Sequence, residues 1–131
     1  MNPFKVAFIG RKLIPADRAM DAEITATLCE LFEEKEFVEI HISRGCFFGD
    51  VCTFATSMAG RTSGKSNFRV VTLKSYPSQN RFLSYAKQAD LIFSFVAPDE
   101  EAADAVRLAE SLGKTVIHLE VFSSFTLDKR R

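Results

Sequence analysis

The chain has no tryptophan, only two tyrosines and no excess of either charge. Its 17 basic and 17 acidic residues cancel, so no global field draws it to nucleic acid or to an acidic membrane surface. Three cysteines, Cys29, Cys46 and Cys52, make an odd number without CxxC spacing, which argues against both a disulfide framework and a zinc site. Cys29 reads as helix core and Cys52 as buried packing. No apolar run approaches the roughly 18 residues that would span a bilayer. Charged and small residues interrupt the N-terminus from Lys5 onward, with no secretory pattern. The expectation is a cytoplasmic protein with no membrane contact, no general nucleic-acid binding, no metal and no resident cofactor.

What is present is core. Of 131 residues, 47% are hydrophobic and 13 are phenylalanine, enough for one domain that buries roughly two thirds of the surface its unfolded form exposes. That domain is expected over residues 1–119, with 120–131 as a C-terminal tail. Phe4 to Ile9 leaves only Lys5 polar, so the first strand is buried on both faces, central and parallel. Asp17 can cap a helix whose Met20, Ile24, Leu28 and Leu31 form one apolar stripe. Glu33, Glu34 and Glu36 oppose the dipole at its end, which predicts a stop near Lys35. The second strand, Phe37 to Ser43, alternates Val38, Ile40 and Ile42 with Phe37, Glu39 and His41, so one of its faces is wetter than in the first strand.

A helix is predicted from about Asp50 to Ala59, with Val51, Phe54, Ala55 and Met58 on its buried side. A polar connection, Gly60 to Asn67, leads to a third strand, Phe68 to Lys74, and a turn over Tyr76 to Gln79. Gly60 to Ser66 superficially resembles a phosphate-binding P-loop, but a helix precedes it and a strand follows, the reverse of the required order. A short helix, Arg81 to Gln88, buries Phe82, Leu83 and Ala86. The nearly all-apolar strand Leu91 to Ala97 is therefore central, and Asp90 at its entrance is a turn residue. Pro98 and Asp99 mark a helix start and Gly113 its stop, with Ala102, Ala105, Val106, Ala109 and Leu112 buried. Thr115 to Leu119 is the fifth strand. In the tail, Val121, Phe122, Phe125 and Leu127 need a surface to cover, on this chain or on a second copy in a homo-oligomer, and Lys129 to Arg131 are expected to be disordered.

Strand and helix in alternation predict an α/β fold, a Rossmann-like three-layer α/β/α sandwich on a five-stranded parallel sheet of order 3-2-1-4-5. Ligands of such sheets bind beyond the carboxyl ends of the strands, where the winding reverses. The loop after the first strand brings Gly10, Arg11 and Lys12, and the loop after the second brings Arg44, Gly45 and Gly49. Asn80 and Arg81 follow the third strand. Asp99, Glu100 and Glu101 follow the fourth, where they repel a phosphate. An anion therefore belongs on the side of the first and second strands, although Arg11, Lys12 and Arg44 also fit plain solvated loop charges. Phe47 and Phe48 could stack on a base or plug the core. Asp50 could hold a ribose, act as a base or cap a helix. His41 and His118 fall within strands, as packed or edge side chains.

Val6, Ala7, Phe8, Ile9, Gly10, Arg11 and Lys12 resemble the opening of the YpsA-like proteins of the SLOG superfamily, whose relatives include the DNA-processing protein DprA and the LOG phosphoribohydrolases. Ser43 to Asp50 is similar to that family's glycine-bearing loop, Asn80 to Ile92 to its helix leading into the fourth strand, and Ala109 to Leu119 to its last helix and strand. The resemblance implies a Rossmann-like fold of bacterial type and a nucleotide-derived ligand over the strand-end loops. Where relatives carry a glycine-rich phosphate loop after the fourth strand, this chain has Pro98, Asp99, Glu100 and Glu101, and the clustered glycines of the phosphoribohydrolases are absent. The expected function is binding of a nucleotide or phosphorylated small molecule by a sensor-like module. The alternatives are an N-glycosidic-bond hydrolase or transferase using Asp50 or Glu101, and an assembly protein acting through its tail.

Overall fold

The computed structural model describes residues 2–10, 18–43, 47–73, 79–95 and 102–119. Among these, five strands alternate with four helices: β1 (Phe4–Gly10), α1 (Arg18–Glu34), β2 (Val38–Ser43), α2 (Phe47–Ser63), β3 (Phe68–Leu73), α3 (Gln79–Gln88), β4 (Leu91–Phe95), α4 (Ala103–Ser111) and β5 (Thr115–His118). The strands form one all-parallel sheet in the order β3-β2-β1-β4-β5, as the alternation predicts. Asp17, the C-terminal tail, and the ends of the third and fourth strands beyond Leu73 and Phe95 lie outside the described residues.

The period of two along β1 builds two cores at once. Val6 and Phe8 join Ile24, Leu28, Phe32, Ile40 and Phe93 on the α1–α2 side. Ala7 and Ile9 join Phe82, Ala86, Ile92, Ala105 and Val106 on the α3–α4 side. The first layer is filled by large side chains, with Phe8 stacked on Phe93 at 5.0 Å and Phe32 on Phe68 at 4.3 Å between ring centroids. The second is rich in alanine, which lets α3 and α4 lie close to the sheet.

α2 differs most from expectation. It starts at Phe47 and runs to Ser63; Ala55 is buried as expected, but Cys52, Thr56 and Ala59 share its buried stripe in place of Phe54 and Met58, and the Val51 side chain lies outside the described residues. Phe54 is 58% exposed and Met58 half-buried. The cause is close approach on two sides: the Cys29 thiol of α1 donates to Ala59 O at 3.5 Å, and a Cβ on Gly60 would come within 2.9 Å of the Phe68 ring at the start of β3. Only small residues fit along that line, so size outweighs hydrophobicity in choosing the face. The end of the helix also absorbs the P-loop-like segment. Gly64 closes it with φ +68° and donates to Gly60 O at 3.1 Å, which makes Gly60 to Gly64 a helix C-terminus, the wrong end of the dipole for phosphate.

Asn67 completes the α1 terminus that the acidic residues predict. Its Nδ2 donates to Phe32 O at 2.9 Å and Lys35 O at 2.8 Å, so a side chain from the α2–β3 connection satisfies carbonyls the helix leaves open. α4 ends in a Schellman arrangement: Lys114 N–H donates to Ala109 O and Gly113 N–H to Glu110 O, at 3.0 and 3.1 Å, with Gly113 at φ +77°. Leu112, expected on the buried face, is the C-cap residue and is 52% exposed. The helix has already turned away from the sheet there.

Candidate functional site

In a parallel sheet every strand ends at the same edge, and here that edge also receives the start of each following helix. Gly10 is the last residue of β1 and pairs in register with Phe95, the last of β4. α1 and α2 pack together on one face, α3 and α4 on the other. The chain therefore leaves β1 toward one face and β4 toward the opposite one, which opens a crevice between two adjacent strands. The N-termini of α1, α2 and α3 lie along this edge, with amide groups that favour an anion.

The backbone brings several sequence candidates to this edge. Gly49 and Asp50 fall in the first turn of α2, and Asn80 and Arg81 in the first turn of α3. Because α2 begins at Phe47, Asp50 is a first-turn residue and not the N-cap. Phe47 and Phe48 are the first two residues of the helix. Arg11, Lys12, Arg44, Gly45 and Glu101 lie outside the described residues, as do Cys46 and the acidic run from Asp99.

A second polar group sits inside the sheet. Glu39, on the face shared with α3, is only 6% exposed. Its carboxylate accepts from the Arg69 guanidinium on β3, and His41 Nε2 lies 2.8 Å from its other oxygen. The hydrogen bond from Arg69 holds the Glu39 carboxyl below its ordinary range and outweighs the effect of burial, with His41 adding to it. His41 meets Tyr85 of α3 edge to face, with centroids 5.6 Å apart. Register continues the pattern, since Lys5 of β1 is opposite Glu39. Asp90 is more than a turn residue: its carboxylate accepts from Lys5 N–H at 2.9 Å, and its own N–H donates to Lys5 O at 2.8 Å. The face expected to be wet is a half-buried ionic network. Its signal in the sequence was Glu39 and His41 two residues apart on one strand face, facing whatever β3 contributed.

The other chemistry-bearing groups are structural. His118 pairs with Glu110 at 3.1 Å on the surface. Burial, aided by Glu33, pushes the Cys29 thiol up, away from the reactive thiolate. Cys52 is buried and Cys29 half-buried. Among the described residues no group of three or more His, Cys, Asp or Glu is placed to hold a metal, and no helix is long and apolar enough to cross a membrane. An open cavity of 460 Å³ lined by Phe4, Lys35 and Asp90 lies at the opposite, amino end of the strands. In comparisons with known proteins, no family model, curated protein or solved structure matches the chain.

Proposed function

We propose that the chain binds a nucleotide or related phosphorylated small molecule at the carboxyl edge of the sheet, as a non-catalytic, sensor-like module. The observation that carries this reading is the adjacency of β1 and β4, which end together at Gly10 and Phe95 and whose helices lie on opposite faces. Such a switch point is where open α/β sheets take their ligands. Further support comes from sequence: Arg11 and Lys12 directly follow Gly10, and Arg44 directly follows the last residue of β2. The resemblance to YpsA-like proteins of the SLOG superfamily points the same way.

A thermal-shift panel of nucleotides and sugar phosphates tests it. A ligand at about 100 times its Kd stabilises the folded state by about 2.7 kcal/mol, a clear rise in Tm that Arg44→Ala reduces. No stabilisation of the wild type at millimolar ligand counts against the proposal. One observation favours a second reading, cleavage of an N-glycosidic bond: Asp50 stands in the first turn of α2 at the same edge. Release of base from a nucleoside monophosphate, lost in Asp50→Ala or Glu101→Ala, identifies that activity, and an inert wild type eliminates it.

A further inference from the structure

The outer face of α2, opposite its buried stripe, is unlike the solvent faces of the helices around it. Thr53, Phe54, Ser57 and Arg61 are exposed there and Met58 is half-buried, and together they line an open cavity of 360 Å³. The solvent faces of α1 and α4 carry charge along their length, with Glu23, Glu30 and Glu33 on one and Asp104, Arg107 and Glu110 on the other. On α2 no charge stands between Asp50 and Arg61. α2 packs on β2, and Val70 of the edge strand β3, in register with Ile40 of the same core, is 40% exposed on that side of the sheet. An exposed apolar face next to an open strand edge marks an interaction surface.

The two charges that bound this face select what covers it. Asp50 and Arg61 are separated by three helical turns, about 16 Å along the axis, too far to pair within one chain. A whole number of turns places both on one stripe, acidic at its start and basic at its end. The stripe has no net charge, so it favours neither an acidic nor a basic partner. It is complementary to its own reverse. In a second α2 laid antiparallel across it, Asp50 meets Arg61, Phe54 meets Ser57 and Thr53 meets Met58, and a two-fold axis repeats each pair. Phe54 enters the groove against the small Ser57, the large-against-small fit that close helix packing needs.

We propose that the outer face of α2 is the interface between two copies of this chain, an isologous antiparallel helix pair centred between Phe54 and Ser57, with the β3 edges at its rim. The interface does not depend on ligand binding at the strand ends. Its apolar centre supplies affinity, and the end charges fix the orientation, because a parallel pair sets Asp50 against Asp50 and Arg61 against Arg61. One helix face and a strand edge are small for an interface, so the dimer exchanges with monomer.

Sedimentation velocity of the full chain from micromolar to near-millimolar concentration tests it. The wild type should move from the mass of one chain toward that of two. Phe54→Asp, at a position exposed in the single chain, should weaken association at least about tenfold. Asp50→Arg and Arg61→Glu should each weaken it by setting like charges against one another. The double variant Asp50→Arg/Arg61→Glu restores opposite charges at both ends and should recover most of the wild-type affinity. A wild type that stays monomeric overturns the proposal. So does a dimer that Phe54→Asp leaves intact, or a double variant no tighter than the single ones. If far-UV circular dichroism shows any of these variants to be unfolded, Ser57→Lys, at the exposed centre of the face, decides: weakened association supports the interface and unchanged association overturns it.

Discussion

At the scale of single residues, Glu39 is the side chain whose environment does most to set its chemistry. A buried carboxylate alone would be pushed toward its neutral form, yet the guanidinium of Arg69 and the His41 ring favour the ion more strongly. A lowered folded-state pKa gives stability that is present above the ordinary glutamate value of 4.5 and is lost as pH falls below it through the lowered one. Arg69 is largely exposed, and its solvation keeps the net contribution small. Glu39→Gln should therefore cost about 1–2 kcal/mol at neutral pH, with the gap to the wild type closing under acid. Chemical denaturation of both proteins across that range checks it, and a gap independent of pH means that the ion pair contributes nothing specific. The sequence displayed Glu39 and His41 on one strand face but not the third member, because Arg69 lies 30 residues away and pairing register is a property of the sheet.

At the scale of elements, type and order were legible while faces and ends were less so. β1 and β4 could be read as central because they are apolar on both faces, and a parallel sheet with helices on both sides needs such strands. The α2 face was misread because hydrophobicity was weighed without size. Phe54 is the more apolar residue, but Cys52, Ala55 and Ala59 are the ones that admit α1 at close range. The α1 terminus was placed correctly near Lys35 from its unfavourable charges, whereas its actual cap came from Asn67, more than 30 residues further along the chain. Asn67→Ala removes these hydrogen bonds and a longer one to Glu36 O at 3.3 Å, and leaves Phe32 O and Lys35 O to find solvent. The expected loss is about 1–2 kcal/mol, together with faster amide exchange over the last turn of α1. Hydrogen-exchange measurements that leave that turn as protected as in the wild type would show that Asn67 is not its cap.

At the scale of the molecule, the candidate site is a consequence of topology more than of any one motif. Alternation implied a parallel sheet with helices on both faces and left its strand order to a choice of the Rossmann-like 3-2-1-4-5, which the sheet has and which fixes where the crevice between β1 and β4 lies. The chemistry of the crevice is less legible, since basic and glycine-bearing loops are common and their convergence is a matter of three dimensions. The same topology makes β1 the joint between the two cores: Val6 and Phe8 belong to one, Ala7 and Ile9 to the other. Neither helical layer can then lose its packing without disturbing a strand that the other requires. Phe8→Ala, on the α1–α2 side, should cost about 3–5 kcal/mol and Ile9→Ala, on the α3–α4 side, about 2–5 kcal/mol. Both should keep a single transition. The measurement is calorimetric unfolding of the wild type and the two variants, comparing calorimetric with van't Hoff enthalpy. Equal enthalpies and a lowered Tm in both variants mean that the edge where β1 meets β4 is held by one cooperative unit. Two resolved transitions in either variant would mean that the layers melt separately and that the crevice joins two independently stable halves.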